Sequence, residues 1–357
     1  MKLIPLLMTL PGDGVHTIHT AKEKKAKLFK AYYGTPKMET AHAKWVKSLT
    51  KMDARKPWVF GIPSDNGGGI QRGANWGPLA LRQELLDVKN TFHDLGDVRV
   101  IPHLLHDKYL NEATIKLCQK ALYGKINKLP VSPLSIAEKA LSEVYKAHPD
   151  VRIFGMGGDH STSYPLVMAW LKSRKNLSRA GVLHFDAHTD LLPTRLGIDI
   201  CFGTWTYQIL ESLKSPGHII QVGIRSSGKD KKHWKKELGV EQIWASDMKK
   251  DGVAKILKKI VKQYKDLGIT ELYISFDIDA LDEKFAAATG TPEKDGLLPS
   301  DCAALIRLLA QEIKITGADL MEVAPFVLPE GIELRDQQSS LTVAGDMAKV
   351  LLETLQT

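Results

Sequence analysis

The chain has 357 residues, 43% hydrophobic and 25% charged, enough apolar material for one large core or two modest ones. A formal charge of +8 raises the question of a nucleic-acid partner, and three widely spaced cysteines, Cys118, Cys201 and Cys302, argue against a disulfide framework and a thiolate zinc cluster. That cysteine usage fits a reducing cytoplasm.

In chain order, Leu3 to Leu10 is apolar but contains Pro5 and no small-residue cleavage pattern, so it does not read as a secretory signal. No stretch approaches the roughly 20 apolar residues that cross a bilayer. Residues 1–55 are lysine-rich with poor periodicity, and they read as an N-terminal extension to a single domain over residues 56–357. Strand-like apolar runs follow at Trp58 to Ile62, Val98 to Leu105, Val151 to Met156, Gly181 to Phe185, Ile219 to Ile224, Leu272 to Phe276 and Ala318 to Val323. Helical periodicity falls between them, near Pro78 to Val88, Leu134 to Ala147, Tyr164 to Ser173, Val253 to Leu267, Ser300 to Gln311 and Thr342 to Thr354. This alternation predicts an α/β fold of three layers, α/β/α, around a mostly parallel sheet.

The positive charge lies largely on helix faces. From Asp251 to Leu267, Val253, Ile256, Leu257, Ile260, Val261 and Tyr264 form an apolar stripe, with Lys255, Lys258, Lys259 and Lys262 on the remainder. The basic run Lys229 to Lys236, with Trp234 inside it, reads as a solvated surface loop before it reads as a polyanion patch. No nucleic-acid partner is expected.

Open parallel sheets bind ligands beyond the carboxyl ends of their strands, and there the chain concentrates unusual residues. The run ending at Phe185 is followed by Asp186-Ala-His-Thr-Asp190, and a strand period of two would turn Asp186, His188 and Asp190 the same way. The run ending at Phe276 is followed by Asp277-Ile-Asp279. A third run ends in Gly157-Gly-Asp-His160-Ser161, a glycine turn that allows close backbone approach. A Gly-Gly-Asp-His turn alone is more often a helix cap, and Asp-x-Asp alone is often a salt-bridging feature. Three such features at three strand ends point to a cation, because buried carboxylates repel and are costly to desolvate without one. Carboxylates and imidazoles without thiolate suit manganese over zinc. The charges of four carboxylates match two divalent ions, and such a pair can lower the pKa of a bridging water towards ~7.

These motifs, in this order, resemble the ureohydrolases, the family of arginases, agmatinases and formimidoylglutamases. Gly157 to Ser161, Asp186 to Asp190 and Ser275-Phe-Asp-Ile-Asp-Ala-Leu-Asp282 carry the likeness, with similar segments at Gly73 to Pro78 and Arg82, Gln221 to Arg225, Thr289 to Pro292 and Asp319 to Pro325. It implies an arginase-like fold and two Mn2+ per chain. One ion would be held by His160, Asp186, Asp190 and Asp277, the other by Asp186, His188, Asp277 and Asp279. Asp190 would also act in catalysis by accepting a hydrogen bond from the attacking water, and Glu322 would hold the cationic amidine. The implied reaction is hydrolysis of a carbon–nitrogen bond in a small guanidino or formimidoyl compound, in a chain that assembles as a trimer or hexamer. Asp159 and Asp282 read as capping or ligand-orienting groups, His184 as a core histidine on the opposite strand face, and Cys201 as inert.

The chain departs from the family in one loop. Arginases and agmatinases usually carry a histidine where Phe202 stands, and the arginase loop for the amino-acid end of the substrate is not recognisable between Leu191 and Ile200. Phe202-Gly-Thr204 is similar to the formimidoylglutamase branch, which favours formimidoylglutamate, with agmatine or a guanidino acid as alternatives. An acidic substrate would need a cationic anchor, for which Arg195, Arg225 and Lys294 are placed. A non-catalytic metal-binding descendant and a one-metal zinc deacetylase are the readings of other kinds. The Asp277-x-Asp279 pair speaks against the deacetylase.

Overall fold

The computed structural model describes residues 2–14, 21–66, 71–326 and 334–356. In chain order the elements are α1 (Ile4–Leu7), β1 (Met8–Thr9), α2 (Lys22–Tyr33), α3 (Met38–Leu49), β2 (Trp58–Gly61), α4 (Gly77–Glu84), β3 (His93–Val98), α5 (Glu112–Tyr123), α6 (Pro133–Ala147) and β4 (Ile153–Met156). They continue with α7 (Ser163–Ser173), β5 (Ala180–Phe185), α8 (Trp205–Leu210), β6 (Ile219–Ile224), α9 (Lys231–Leu238), β7 (Glu241–Trp244), α10 (Ala245–Asp266), β8 (Glu271–Asp277), α11 (Pro299–Glu312), β9 (Lys314–Met321) and α12 (Leu334–Thr354).

The strands form one sheet in the order β1-β3-β2-β4-β9-β8-β5-β6-β7. Every pairing is parallel except that of β1 with β3. Strands buried on both faces read as continuous apolar runs, which is why the central ones are visible in sequence. Alternation along β5 divides the core. Leu183 and Phe185 pack with residues of α4, α10, α11 and α12, whereas Val182 packs with residues of α6, α7 and α8. The result is the three-layer arrangement expected from the alternating pattern.

The expected strand at Val98 to Leu105 is displaced. The real strand, β3, lies earlier and reads His-Asp-Leu-Gly-Asp-Val. Its carboxylates escape notice as strand residues because buried Arg82 neutralises them, with Nε 2.8 Å from Asp94 Oδ2 and Nη1 2.5 Å from Asp97 Oδ1. Of the edge strands, β1 has only two residues and β7 reads Glu-Gln-Ile-Trp, without an apolar run, so neither registers in the sequence. Within the lysine-rich first 55 residues, α1 to α3 and β1 bury Ile4, Leu7, Met8, Phe29 and Trp45 against the neighbouring core. The stripe on α10 is as expected, with Ile256, Ile260 and Tyr264 buried. Its lysines pair with acids, among them Lys259 with Glu241 and Lys265 with Glu312. No helix among the described residues is long and apolar enough to cross a membrane.

Candidate active site

Four neighbouring strands, β4, β9, β8 and β5, end at one place and deliver His160, Glu322, Asp277 and Asp186. His160 follows the glycine turn after β4. Added Cβ atoms there would come 1.8 Å from Met321 Sδ at Gly157 and 1.7 Å from the Ser64 carbonyl oxygen at Gly158, so only glycine lets the turn pack this closely. Asp159 caps the turn. Its Oδ1 accepts from Ser161 N at 3.0 Å and its Oδ2 from Asn66 N at 2.6 Å.

The loop after β5 does not continue the strand, so the period-two alignment expected for Asp186, His188 and Asp190 is not what brings them together. The chain bends instead, and Asp190 takes a left-handed φ of 50°. Likewise β8 stops at Asp277, whose Oδ1 accepts from Asp279 N at 2.8 Å to cap a 3-10 turn over Ile278–Ala280. Glu322 is also left-handed, at φ 61°. Left-handed backbone at a non-glycine residue carries strain that the surrounding fold must hold, and it concentrates at functional sites.

His160 Nδ1 lies 2.9 Å from Asp277 Oδ2, 3.1 Å from Asp186 Oδ2 and 3.4 Å from Asp190 Oδ2. None of the three is aligned as a hydrogen bond, so this buried nitrogen has no hydrogen-bond partner. The other ring nitrogen, Nε2, meets Ser275 Oγ at 3.1 Å, and Ser275 in turn donates to Asp319 Oδ1 at 2.9 Å. Nearby, His188 Nδ1 lies 3.1 Å from Asp279 Oδ2 and 3.4 Å from Asp186 Oδ1, while its Nε2 faces Glu293 Oε1 at 3.4 Å. Two groups can each hold a cation: His160, His184, Asp186 and Asp190, and next to it Asp186, His188 and Asp279. Asp186 belongs to both.

The electrostatics of the cluster favour a cation among its carboxylates. Burial pushes the carboxyls of Asp277 and Asp190 well above the usual carboxylate range, and neighbouring carboxylates push them further. Burial likewise raises Glu322, which accepts from His160 N at 2.8 Å. A cation among these oxygens would reverse the cost of holding them ionised.

Several expectations need correction. His184 is not on the opposite face, since residues 184 and 186 share strand parity; its Nε2 lies 2.9 Å from Asp186 Oδ2, and its Nδ1 lies 2.9 Å from Gln221 Nε2. Arg225 is no substrate anchor, because its guanidinium is spent on backbone carbonyls, including those of Asp279, Leu281 and Glu293 at 2.7, 3.0 and 2.9 Å. Lys294 is exposed and does not line the cavity. Asp282 is a capping group, as expected, its Oδ2 accepting from Gly296 N at 3.0 Å and its Oδ1 from Lys284 N at 3.2 Å. Arg195 does line the cavity.

That cavity has a volume of about 630 Å³. Beyond the acidic cluster its walls include Leu192, Phe202, Lys229, His233 and Trp234. The Lys229 to Lys236 run is therefore more than a solvated loop. Its Lys231, Lys235 and Lys236 pair with acids, while Lys229, His233 and Trp234 wall the cavity. Trp234 within an otherwise basic run was the available signal. Trp205 was also missed as a site residue, although it donates to Asp190 Oδ2 at 2.9 Å.

Residues 55–351 match the model of the arginase family. The chain belongs to the arginase family. It is therefore a hydrolase of carbon–nitrogen bonds in linear amidines, which sets the zinc deacetylase reading aside. A guanidino acid hydrolase, mitochondrial, of Homo sapiens is 31% identical over 282 residues, covering 74% of this chain and 70% of that protein. An agmatinase of Citrobacter koseri is 30% identical over 280 residues, covering 76% and 81%. Among solved structures, the proclavaminate amidino hydrolase from Streptomyces clavuligerus superposes with a TM-score of 0.65 at 26% identity, covering 84% of this chain and 91% of that one.

Proposed function

We propose that His160, Asp186, His188, Asp190, Asp277 and Asp279 hold two divalent manganese ions, and that the chain uses them to hydrolyse a carbon–nitrogen bond of a formimidoyl or guanidino compound. The observation that carries this reading is His160 Nδ1, buried without a hydrogen-bond partner among three carboxylate oxygens while Nε2 is fixed by Ser275. An orphaned ring nitrogen aimed at carboxylates fits a metal ligand whose tautomer is set from behind. Asp186, common to both candidate groups, would contribute to holding either ion.

Bound there, two divalent ions supply Lewis acidity and an activated water at neutral pH. The chain's own residues do the rest. Glu322, buried and facing the cavity, pairs with the amidinium and turns its planar carbon toward the cluster. Asp190, whose Oδ2 accepts from the Trp205 indole, would take a proton from the attacking water and return it to the leaving nitrogen as the carbon–nitrogen bond breaks. His184 and Glu293 orient Asp186 and His188 from behind.

The likeness of the Phe202-Gly203-Thr204 loop to the formimidoylglutamase branch supports formimidoylglutamate as the first substrate to assay. The human guanidino acid hydrolase and the bacterial agmatinase speak for a guanidino group. Assembly as a trimer or hexamer belongs to the same reading. The deciding experiment loads the protein with manganese, counts bound metal, and assays formimidoylglutamate, guanidinobutyrate, agmatine and arginine while following formamide, urea and ammonia separately. Two ions with formamide release support the formimidoyl reading, and urea moves it to the guanidino branch. Two ions bound with no product across the panel would favour a non-catalytic role.

A further inference from the structure

The ionisable groups lining the cavity sort by depth. Those at the bottom include five buried acids: Asp186, Asp190, Asp277, Asp279 and Glu322. Nearer the surface they are Arg195, Lys229 and His233, all basic. Among the described residues no carboxylate lines this outer part. Glu293, close by, turns its carboxylate onto His188 Nε2. Neither Arg195 nor Lys229 is paired with an acid among the described residues, whereas Lys231 and Lys235, from the same basic run, are.

Both cations are mounted on organised backbone. Arg195 exchanges backbone hydrogen bonds with Ile198 at 2.8 and 2.9 Å, and its guanidinium lies 4.6 Å from the Phe202 ring centroid. Trp234 Nε1 donates to Ser227 Oγ at 3.1 Å, and Ser227 Oγ donates to the Lys229 carbonyl at 2.7 Å. The site is thus a dipole, acidic at the bottom and basic at the mouth, with Phe202, Leu192 and Trp234 contributing apolar wall.

We infer that Arg195 and Lys229 form a carboxylate subsite, so that the substrate is an amidine whose far end is anionic. The inference rests on the proposed reaction at the acidic bottom, which fixes the cationic end. An amine-ended amidine would set a second positive charge against the two cations, and that repulsion supplies discrimination as well as attraction does. The absence of a family histidine at Phe202 acquires a use here, since an apolar ring at that position supports the Arg195 guanidinium.

The test uses the manganese-loaded full chain and guanidines matched in length but differing at the far end: guanidinobutyrate, agmatine and guanidinobutanol. Calorimetry reads binding, and urea release reads turnover. The acid should bind at least about tenfold more tightly than the amine. The pair R195Q/K229Q should weaken the acid by about tenfold or more, in KM and not kcat, and weaken the alcohol far less, so that the acid-to-alcohol preference collapses; R195E/K229E should favour agmatine. Manganese content and melting temperature check that the variants are folded. Equal or better binding of the amine, unchanged acid binding in R195Q/K229Q, or binding of none of the three overturns the subsite. Hydrolysis of the alcohol without acid preference overturns the subsite and leaves the proposed reaction standing. Acid binding that depends on both cations without urea release leaves the subsite standing and overturns the guanidino branch of the proposed reaction, and formamide release from formimidoylglutamate then decides the other branch.

Discussion

Trp205 donates its indole N–H to Asp190 Oδ2 at 2.9 Å, and its ring centroid lies 4.8 Å from that of His160. One side chain at the start of α8 therefore touches candidate ligands from two strand ends. Trp205→Phe keeps the ring contact and removes the donor. Manganese affinity should weaken by about 10- to 100-fold, the usual range for groups that orient ligands, while the melting temperature of the metal-free chain changes little. A metal titration identical to wild type would show that the bond orients nothing.

Asp277→Asn should abolish turnover. Because burial and the neighbouring carboxylates oppose ionisation at this position, the metal-free variant should melt at or above wild type. Near-normal hydrolysis by this variant would sink the two-metal account.

Metal removal should make stability depend on pH with a definite sign. Asp277, Asp190 and Glu322 have raised pKa values through burial. At His160 and His188 burial alone would lower the pKa, but the carboxylates of Asp186, Asp277 and Asp279 raise it. Groups raised on folding bind protons that the unfolded chain has released, so their contribution is lost as pH rises. Asp186 runs the other way. Burial would raise it, but the neighbouring imidazoles of His160, His184 and His188 hold it low, so its contribution is lost only as pH falls below about 4. Between about pH 5 and 8 the chelated protein should thus melt lower as pH rises, while bound manganese should stabilise it more. Melting curves in chelator and in manganese across that range check both slopes, and parallel curves would count against a cation at this cluster.

Gly158→Ala would press a Cβ to 1.7 Å from the Ser64 carbonyl oxygen, and backbone cannot swing aside as a side chain can. A loss of roughly 1–3 kcal/mol or more, with weakened metal binding, is expected by denaturant titration. Gly217→Ala meets only side-chain atoms at 3.5 Å and beyond and should stay within about 0.5 kcal/mol.

Arg82→Met should cost about 3–5 kcal/mol, since it leaves Asp94 and Asp97 buried without their partner. Replacing Asp94 and Asp97 by Asn in the same variant should restore part of the loss. No restoration would mean that the arginine acts by packing alone.

What could be read in advance followed the physics of each element. The central strands carry their own burial as largely apolar runs, and the ligand positions stood out because carboxylates followed those runs. The polar strand β3 stayed hidden because its stability depends on Arg82, which precedes it in the chain and reveals nothing by periodicity. The basic run around Trp234 looked solvated because linear charge does not say that three of its side chains turn inward. The parity of His184 with Asp186 was available in the sequence. Its contact with Trp205, at 4.9 Å between ring centroids, was not, since α8 reaches it only in three dimensions.

The strand order carries a consequence for how the protein comes into being. β9 follows the other eight strands in the chain, yet it lies between β4 and β8. As the chain emerges from a ribosome, His160 and Asp277 therefore belong to two sections of sheet with a one-strand gap between them. Only when residues 314–321 slot into that gap do the two sections share hydrogen bonds, and the same event brings Glu322 to the cavity. A nascent or truncated chain that ends before β9 has the motifs and lacks the site.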